Sequence, residues 1–243
     1  MARRKKPGVP PPPWVSWVHR LDAVFLPDGK LIEPLSERWR QARRGRLTAS
    51  ERAAIIHDRR PAEWNALMDA LDAELADDYQ WVEKSAPALS WGRDNEKAAL
   101  ASIELAYGRE VVEPGLIFHP ELPFVAATPD GLIEDDKRVS IQVKCPYNPK
   151  NHLDTLYTKT LRPVYYMQVQ WEAWVTKADE IEFYSFDPRQ PLATRLVRLD
   201  IPVNREVLDR FSENVRDFAT MYSQGRRLAE GKLSPMGVLD NLF

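Results

Sequence analysis

Cysteine is almost absent from the 243-residue sequence, because Cys145 is the only one. A single cysteine excludes an internal disulfide framework and any zinc site built from several cysteines, and it indicates an intracellular protein. Histidine is also scarce. The four present, His19, His57, His119 and His152, show neither the spacing of metal ligands nor that of a catalytic triad.

Long apolar runs and glycine-rich loops are missing as well. No run reaches the length that spans a bilayer, and the basic residues near the amino terminus are followed by prolines rather than by an apolar signal core. Neither a phosphate loop of the Walker or Rossmann type nor an internal repeat is present. With 44% hydrophobic and 29% charged residues, the composition predicts a soluble globular protein in the cytoplasm, with no membrane contact.

Charge is distributed unevenly along the chain. Residues 1–60 contain 14 Lys and Arg against 6 Asp and Glu, whereas residues 61–243 contain 20 against 30. This asymmetry indicates a local contact with a polyanion, although a solubilising tail is the alternative for Arg3 to Lys6. We expect residues 1–13 to form a disordered basic, proline-rich arm and residues 14–243 a single domain that ends in a helix at about 204–230.

The stretch from Phe124 to Pro146 carries the main candidate site. It predicts a hairpin in which Phe124 to Ala127 enters, residues 128–131 bend, Leu132 and Ile133 continue, Asp135-Asp136 turns, and residues 139–144 return. In the returning strand Gln142 and Lys144 share one face, away from the alternating apolar residues. Either this face is solvated, or it joins Asp130 in an active site.

A helix is predicted from Leu89 or Ser90 through Ala106. Glu96 falls on the same stripe as apolar residues three, four and seven positions later. A carboxylate on an inward face is costly without a partner or a metal ion. The alternative is an exposed glutamate at the edge of the stripe.

A second helix is predicted over Val164 to Thr176. Its apolar residues point inward, and Tyr165, Gln168 and Glu172 form an adjacent polar stripe at spacings of three and seven.

The segment around Thr48 predicts an anion pocket. Thr48 and Glu51 fit a capping box, with a helix from Ala49 to about His57. Ser50 would then lie in the first turn, where free N–H groups point outward, and three arginines precede it. Arginine, a hydroxyl and a helix amino terminus make a phosphate pocket, although a capped surface helix with solvated arginines explains the pattern equally well.

Taken in order, these motifs resemble the PD-(D/E)XK nuclease core, and more narrowly the lambda-exonuclease-type (YqaJ-type) alkaline exonucleases of phage recombination systems. The resemblance covers about residues 40–190. It is carried by Arg43 with Leu47-Thr48-Ala49-Ser50, Trp91-Gly92 with Asn95-Glu96, Thr128-Pro129-Asp130-Gly131-Leu132-Ile133, Val143-Lys144-Cys145-Pro146, and Tyr165 with Gln168-Val169-Gln170. The implied fold is α/β (α+β), a central mixed β-sheet flanked by helices.

The resemblance also implies a role for each matching residue. It assigns two Mg²⁺ ions, replaceable by Mn²⁺, to Asp130, Glu96, Gln142 and the backbone carbonyl of Val143. It assigns activation of the attacking water to Lys144, completion of the catalytic helix to Gln168 and Tyr165, and the 5′-phosphate of the digested strand to Arg43, Ser50, Arg46 and Thr48. Paired divalent ions suit phosphodiester hydrolysis because they neutralise both the attacking and the leaving oxygen, and Mg²⁺ prefers oxygen ligands.

Gln142 departs from the pattern, since the family normally has glutamate at this position. A natural variant with compensation nearby, an engineered substitution and a chain that has lost catalysis are the three explanations.

The expected function is therefore a Mg²⁺-dependent exonuclease that degrades one strand of duplex DNA from a 5′ end and leaves a 3′ overhang for recombination. The resemblance further implies a ring-shaped homotrimer, a single-strand annealing protein as partner, and a phage or prophage gene in a bacterial host. A non-hydrolysing DNA-end-binding protein is one alternative function. A restriction-type endonuclease is the other.

Overall fold

A computed structural model describes residues 36–76, 79–81, 86–134 and 137–230. The arm predicted for residues 1–13 lies outside these ranges. Within them, no helix has both the length and the apolar character needed to cross a membrane.

Helices and strands follow the predicted order closely in the described residues. The helices are α1 (Glu37–Arg43), α2 (Glu51–Asp58), α3 (Pro61–Leu75), α4 (Pro87–Tyr107), α5 (Pro149–Thr158), α6 (Pro163–Thr176) and α7 (Arg205–Glu230). The strands are β1 (Ile117–His119), β2 (Leu122–Ala127), β3 (Gly131–Glu134), β4 (Arg138–Lys144), β5 (Glu180–Phe186) and β6 (Leu196–Ile201).

The main sheet has four strands in the order β3-β4-β5-β6. The β3–β4 and β5–β6 pairs are antiparallel, whereas β4 and β5 are parallel. A parallel pair needs a crossover connection, which α5 and α6 provide. The predicted mixed sheet flanked by helices is thereby confirmed.

The predicted hairpin is wrong in one respect, because its entering strand belongs to a different sheet. β2 pairs with β1, with Ile117 opposite Ala127, and only β3 pairs with β4. Pro129 lies between β2 and β3 and has no N–H to donate to a ladder, so it suits the break between them. Asp130 therefore lies at the junction of the two sheets.

Strand β4 is buried on both faces. Its apolar residues pack against Ala99, Leu100 and Ile103 of α4, while its other face lies against α6. Gln142 on the α6 side is 2% exposed. The alternative of a solvated face is therefore excluded for Gln142.

Helix α5 was not predicted, although its amino terminus carries a sequence signal. Asn148 is the N-cap and accepts a hydrogen bond from the Lys150 N–H, and Pro149 occupies the first helical position. The helix buries His152, whose ring nitrogens lie 2.9 Å from the Ser185 hydroxyl and 2.8 Å from the Thr194 carbonyl. This histidine has a structural role.

Candidate active site

The catalytic cluster, defined here as Glu96, Asp130, Gln142, Lys144 and Gln168, begins at the end of β4. The Asp130 N–H donates to the Ile141 carbonyl at 3.1 Å, which fixes the loop before β3 against β4. The Val143 N–H donates to Asp130 Oδ2 at 2.7 Å, and Gln142 Nε2 donates to the same oxygen. Pairing of the two strands therefore places the Asp130 carboxylate beside Gln142.

Helix α6 continues this hydrogen-bond network. Gln168 Nε2 donates to Gln142 Oε1 at 2.6 Å and to Glu172 Oε1 at 2.8 Å. Four side chains thus form one hydrogen-bonded chain from Asp130 to Glu172. Glu172 is 1% exposed, and its Oε2 has no hydrogen-bond partner within the described residues.

Lys144 lies on the same face of β4 as Gln142, as predicted. Its ammonium nitrogen is 5.4 Å from the centre of the Tyr165 ring, which stacks on Phe183 at 5.9 Å. Burial raises the pKa values of both Glu96 and Asp130, and the positive charge of Lys144 opposes each rise. Lys144 therefore lies within electrostatic reach of both acids. The loop, strand and helix residues predicted to be catalytic are therefore brought together.

Glu96 is half-buried on α4 and faces the same cluster. The pKa of Glu96 is raised from 4.5 to about 7, chiefly because its carboxyl group is removed from water; the negative charges of Asp130 and Glu113 add to the rise, and Lys144 opposes it. These charges can affect the pKa of Glu96 only if they lie close to its carboxyl group. The alternative of an isolated surface glutamate does not describe this side chain.

The cluster holds more negative charge than its lysine neutralises. Burial raises the pKa of Asp130 above its ordinary 3.8, although Lys144 and the Val143 N–H lower it. Burial also raises the pKa of Glu172 well above 4.5, and the charge of Asp130 adds to that shift. Carboxylates in such surroundings favour a proton or a cation.

The anion pocket, defined here as Arg43, Thr48 and Ser50, is a second candidate site. Arg43 Nη2 donates to Thr48 Oγ1 at 3.1 Å, and the guanidinium lies 4.7 Å from the centre of the Trp39 ring. Burial, with a smaller contribution from the charge of Arg52, lowers the pKa of Arg43 to about 10. The structure therefore brings Arg43 and Thr48 into contact, and Ser50 follows two residues later at the start of α2.

The predicted capping box is wrong. Thr48 does not cap the helix, because Leu47 pairs with β2 through its N–H to Phe124 (2.9 Å) and its carbonyl to Ala126 (2.8 Å), which leaves Thr48 buried before the helix starts. Ser50 is the N-cap of α2, and its side chain makes no capping hydrogen bond. The exposed Ser50 hydroxyl therefore makes no capping hydrogen bond, although the residue occupies the N-cap position.

Arg46 lies apart from this pocket. It is 4% exposed, donates to the backbone carbonyls of Ala42 and Pro123, and lies 4.6 Å from the centre of the Phe118 ring. Since buried carbonyls hold its guanidinium, Arg46 supports the fold around the pocket. Arg44 and Arg52 likewise bind the Glu74 backbone and side chain, respectively.

Trp39 links the two sites. Trp39, which stacks on Arg43, donates through Nε1 to Thr128 Oγ1 at 3.4 Å, and Thr128 is two residues before Asp130. Pairing of Leu47 with β2 supports the same connection. Arg43 of the pocket is therefore connected, through Trp39, to the loop that carries Asp130.

Residues 38–179 match the YqaJ-like viral recombinase domain. The chain belongs to this family. Among solved structures, the alkaline exonuclease LHK-Exo from Laribacter hongkongensis is 28% identical, with a TM-score of 0.68 over 80% of this chain and 98% of that one. The LHK-Exo complex with dAMP matches with a TM-score of 0.67. A phage-related exonuclease from Haemophilus somnus 129PT shares the fold at 16% identity and a TM-score of 0.52, over 88% of this chain and 95% of that one. No curated protein matches the chain.

The YqaJ-like segment contains both the anion pocket and the catalytic cluster. At this cluster, the carboxylate oxygens of Glu96 and Asp130 and the Val143 carbonyl suit a hard divalent cation, which prefers oxygen ligands. Gln142 turns its amide nitrogen towards Asp130 and the Val143 carbonyl, and its oxygen accepts from Gln168 instead. Across the described parts of the chain, no three or more His, Cys, Asp and Glu side chains form a group that would hold a metal ion. Gln142 contributes to the absence of such a group. Because its side chain is an amide, Glu96 and Asp130 are the two carboxylates among the predicted metal ligands of this YqaJ-like chain.

Two acidic residues near the cluster were not predicted as site residues. Glu172 had a signal, since it follows Gln168 by four residues on the polar stripe of α6. Glu113 had none. It is exposed on the segment after α4, and only the fold brings its charge close enough to raise the pKa values of Glu96 and Asp130.

Proposed function

We propose that the chain is a divalent-metal-dependent deoxyribonuclease that digests one strand of duplex DNA from a 5′ end and leaves a 3′ overhang for phage-type recombination. The observation that carries this proposal is the convergence of Glu96, Asp130, Gln142 and Lys144, which come from a helix, a loop and a strand. Membership of the YqaJ-like viral recombinase family and similarity to the LHK-Exo alkaline exonuclease support it.

The cluster suits phosphodiester hydrolysis. Mg²⁺, or Mn²⁺ in its place, would be held by Asp130, Glu96 and the Val143 carbonyl, and by the Gln142 oxygen once the amide, whose nitrogen now faces Asp130, turns over. The ion would lower the pKa of a bound water and neutralise charge on the phosphate. The Lys144 ammonium lies beside Asp130, where it orients the attacking water and stabilises the extra negative charge of the transition state. Gln168 fixes the Gln142 side chain, and Tyr165 faces the Lys144 ammonium.

The anion pocket sets the direction in which the strand is digested. Arg43 carries a charge that no carboxylate neutralises directly among the described residues, and Ser50 presents a hydroxyl beside the first N–H groups of α2. A terminal 5′-phosphate bound there would place the adjoining nucleotides along the loop from Thr128 to Asp130. Digestion would then start from the 5′ end.

End-labelled linear duplexes test this directly. Duplexes labelled at the 5′ or the 3′ end, with and without a 5′-phosphate, are incubated with the protein and Mg²⁺. The proposal predicts release of 5′-label first, faster digestion of phosphorylated ends, and no reaction in a chelator. Release of 3′-label first, or no preference for the 5′-phosphate, would contradict the assigned polarity.

The assembly is a separate part of the proposal. A homotrimeric ring that encloses the duplex, with a single-strand annealing protein as partner, would keep the protein on one DNA end through many cycles. Light scattering after gel filtration tests the trimer, and co-purification with a single-strand annealing protein tests the partner.

A specific observation favours a second function, a DNA-end-binding protein without turnover. Gln142 Nε2 donates to Asp130 Oδ2 and so occupies a ligand atom of the proposed metal site. This alternative predicts tight binding to duplex ends and no digestion with Mg²⁺ or Mn²⁺. Comparison with the Gln142→Glu variant separates the two functions, since activity gained only in the variant would identify the present chain as inactive. Cleavage of closed circular DNA would instead indicate a restriction-type endonuclease.

A further inference from the structure

Glu172 is the one member of the hydrogen-bonded network that the proposed mechanism leaves without a role. Its carboxyl group is buried on α6, Gln168 donates to Oε1 at 2.8 Å, and Oε2 has no partner within the described residues. A buried, half-satisfied carboxylate is destabilising by itself, so its presence requires an explanation.

Other buried carboxylates of the described chain have cationic partners. Glu182, also 1% exposed, pairs with Arg109 at 2.7 Å and Arg198 at 3.0 Å and accepts from the Tyr184 hydroxyl at 2.6 Å. Asp187 pairs with Arg189 at 2.7 Å. Glu172 makes no such ion pair among the described residues, so no cation there offsets a negative charge on it, and burial raises its pKa well above 4.5.

The position of Glu172 relates it directly to the amide at position 142. One nitrogen, Gln168 Nε2, donates both to Gln142 Oε1 and to Glu172 Oε1, so these two oxygens lie on either side of a single amide group. Strand β4 therefore presents an amide towards Asp130, and helix α6 presents a carboxylate behind it. The two side chains could exchange their acid and amide groups without a change in length.

We propose that Glu172 supplies the third carboxylate charge of the divalent-cation site, moved from strand β4 to helix α6, and thereby compensates for Gln142. This inference rests on the proposed metal-dependent nuclease function. It explains why the carboxylate has an unpartnered oxygen and no cation of its own, and why an uncharged side chain is tolerated beside Asp130.

Mn²⁺ binding to the metal-free protein, followed by electron paramagnetic resonance at fixed pH, tests the proposal without DNA. We expect Glu172→Gln to weaken Mn²⁺ binding by about 10- to 100-fold, the range for groups that tune a metal site from behind its ligands. The double variant Gln142→Glu/Glu172→Gln, which returns the acid to the strand, should recover most of the loss. Glu182→Gln is the matched control, because it removes an equally buried carboxylate that bonds to arginines, and should leave Mn²⁺ affinity unchanged.

Melting temperature in a chelator distinguishes a purely structural role. Glu172→Gln should leave it unchanged or raise it, since an unpaired buried charge is removed. A fall in melting temperature with unchanged Mn²⁺ affinity would assign Glu172 to the fold and overturn the proposal. Failure of the double variant to regain Mn²⁺ affinity would also overturn it.

The nuclease function can fail separately. Wild-type protein that binds Mn²⁺ and digests DNA, together with an unchanged Glu172→Gln variant, rejects the role of Glu172 alone. Wild-type protein that neither binds Mn²⁺ nor digests DNA rejects the nuclease function and this inference together.

Discussion

The catalytic cluster and the anion pocket are linked through Trp39, which contacts both Arg43 and Thr128, but they handle charge in opposite ways. In the cluster, carboxylates are withdrawn from water and repel each other, so the pKa of Glu96 rises to about 7 and that of Asp130 also rises. In the pocket, an exposed serine hydroxyl lies near Arg43, and buried arginines nearby are already bonded to backbone or to Glu74.

The difference shows how one fold prepares two kinds of binding. A concentrated negative charge is costly without a cation, so the proposed divalent ion would complete the cluster. The pocket is built before its ligand arrives, because Arg43 is already fixed by Thr48 and Trp39. Substitutions should therefore affect the chemical step in one region and DNA-end binding in the other.

The largest effect is expected for Asp130→Asn. This change removes the acid shared by the Val143 N–H and the proposed metal ions, so we expect hydrolysis to fall by about 10³-fold or more. Binding of 5′-phosphorylated ends should persist because the anion pocket is untouched. Single-turnover digestion and an end-binding assay measure the two quantities.

Asp154→Asn provides the control for Asp130→Asn. Asp154 is an exposed residue of α5 that pairs at 2.7 Å with Lys150, a residue of neither site. Equal losses in the two variants would show that the effect is not specific to the cluster.

Arg43→Ala should produce the opposite pattern. Loss of a charge-assisted contact to the terminal phosphate is expected to raise KM for phosphorylated ends by about 10- to 100-fold, with little change in kcat. Ends without a 5′-phosphate should show little difference between the variant and wild type. Arg38 is an exposed arginine on the same helix, so Arg38→Ala is the control and should match wild type. A selective fall in kcat for Arg43→Ala would contradict the assignment of the pocket to DNA-end binding.

The pH dependence of metal binding should report Glu96. Because its pKa is raised from 4.5 to about 7, the folded metal-free protein holds this proton longer than the unfolded chain does, and stability decreases as pH rises across that interval. A divalent cation competes with the same proton, so Mn²⁺ affinity should rise about tenfold as pH increases through 7.

Glu96→Gln should flatten the pH dependence of Mn²⁺ affinity and weaken binding at high pH. Titrations of both proteins at several pH values make the comparison. An unchanged slope in the variant would assign the proton to a different group.

The smallest effect is expected for Ser50→Ala. Because the Ser50 side chain makes no capping hydrogen bond, the free energy of unfolding should change by less than about 0.5 kcal/mol. Digestion of phosphorylated ends should slow by a few-fold through loss of one hydroxyl contact. Chemical denaturation and the end-labelled assay test both parts, and a loss of stability typical of an N-cap would contradict the observed geometry.

Much of the local structure could be predicted because the signals are local. The helix that carries Gln168 and the strand that carries Lys144 follow from residue periodicity, and the order of the motifs predicted the family. The predicted capping box is wrong because Thr48 could either cap the helix or be buried before the helix begins. Pairing of Leu47 with Phe124 of β2, 77 residues further along the chain, buries Thr48, and no local sequence pattern encodes that pairing.

The sequence alone determined which chemical groups are present, their faces on each helix and strand, and the substitution of an amide at position 142. Only the tertiary structure decided which of these groups meet. Glu113 enters the electrostatic surroundings of Asp130, Arg46 is taken by buried carbonyls, and Glu172 is placed behind Gln142 without a cation. Burial and long-range contacts set each of these outcomes, because the energy of a charge depends on its neighbours in space more than on its neighbours in sequence.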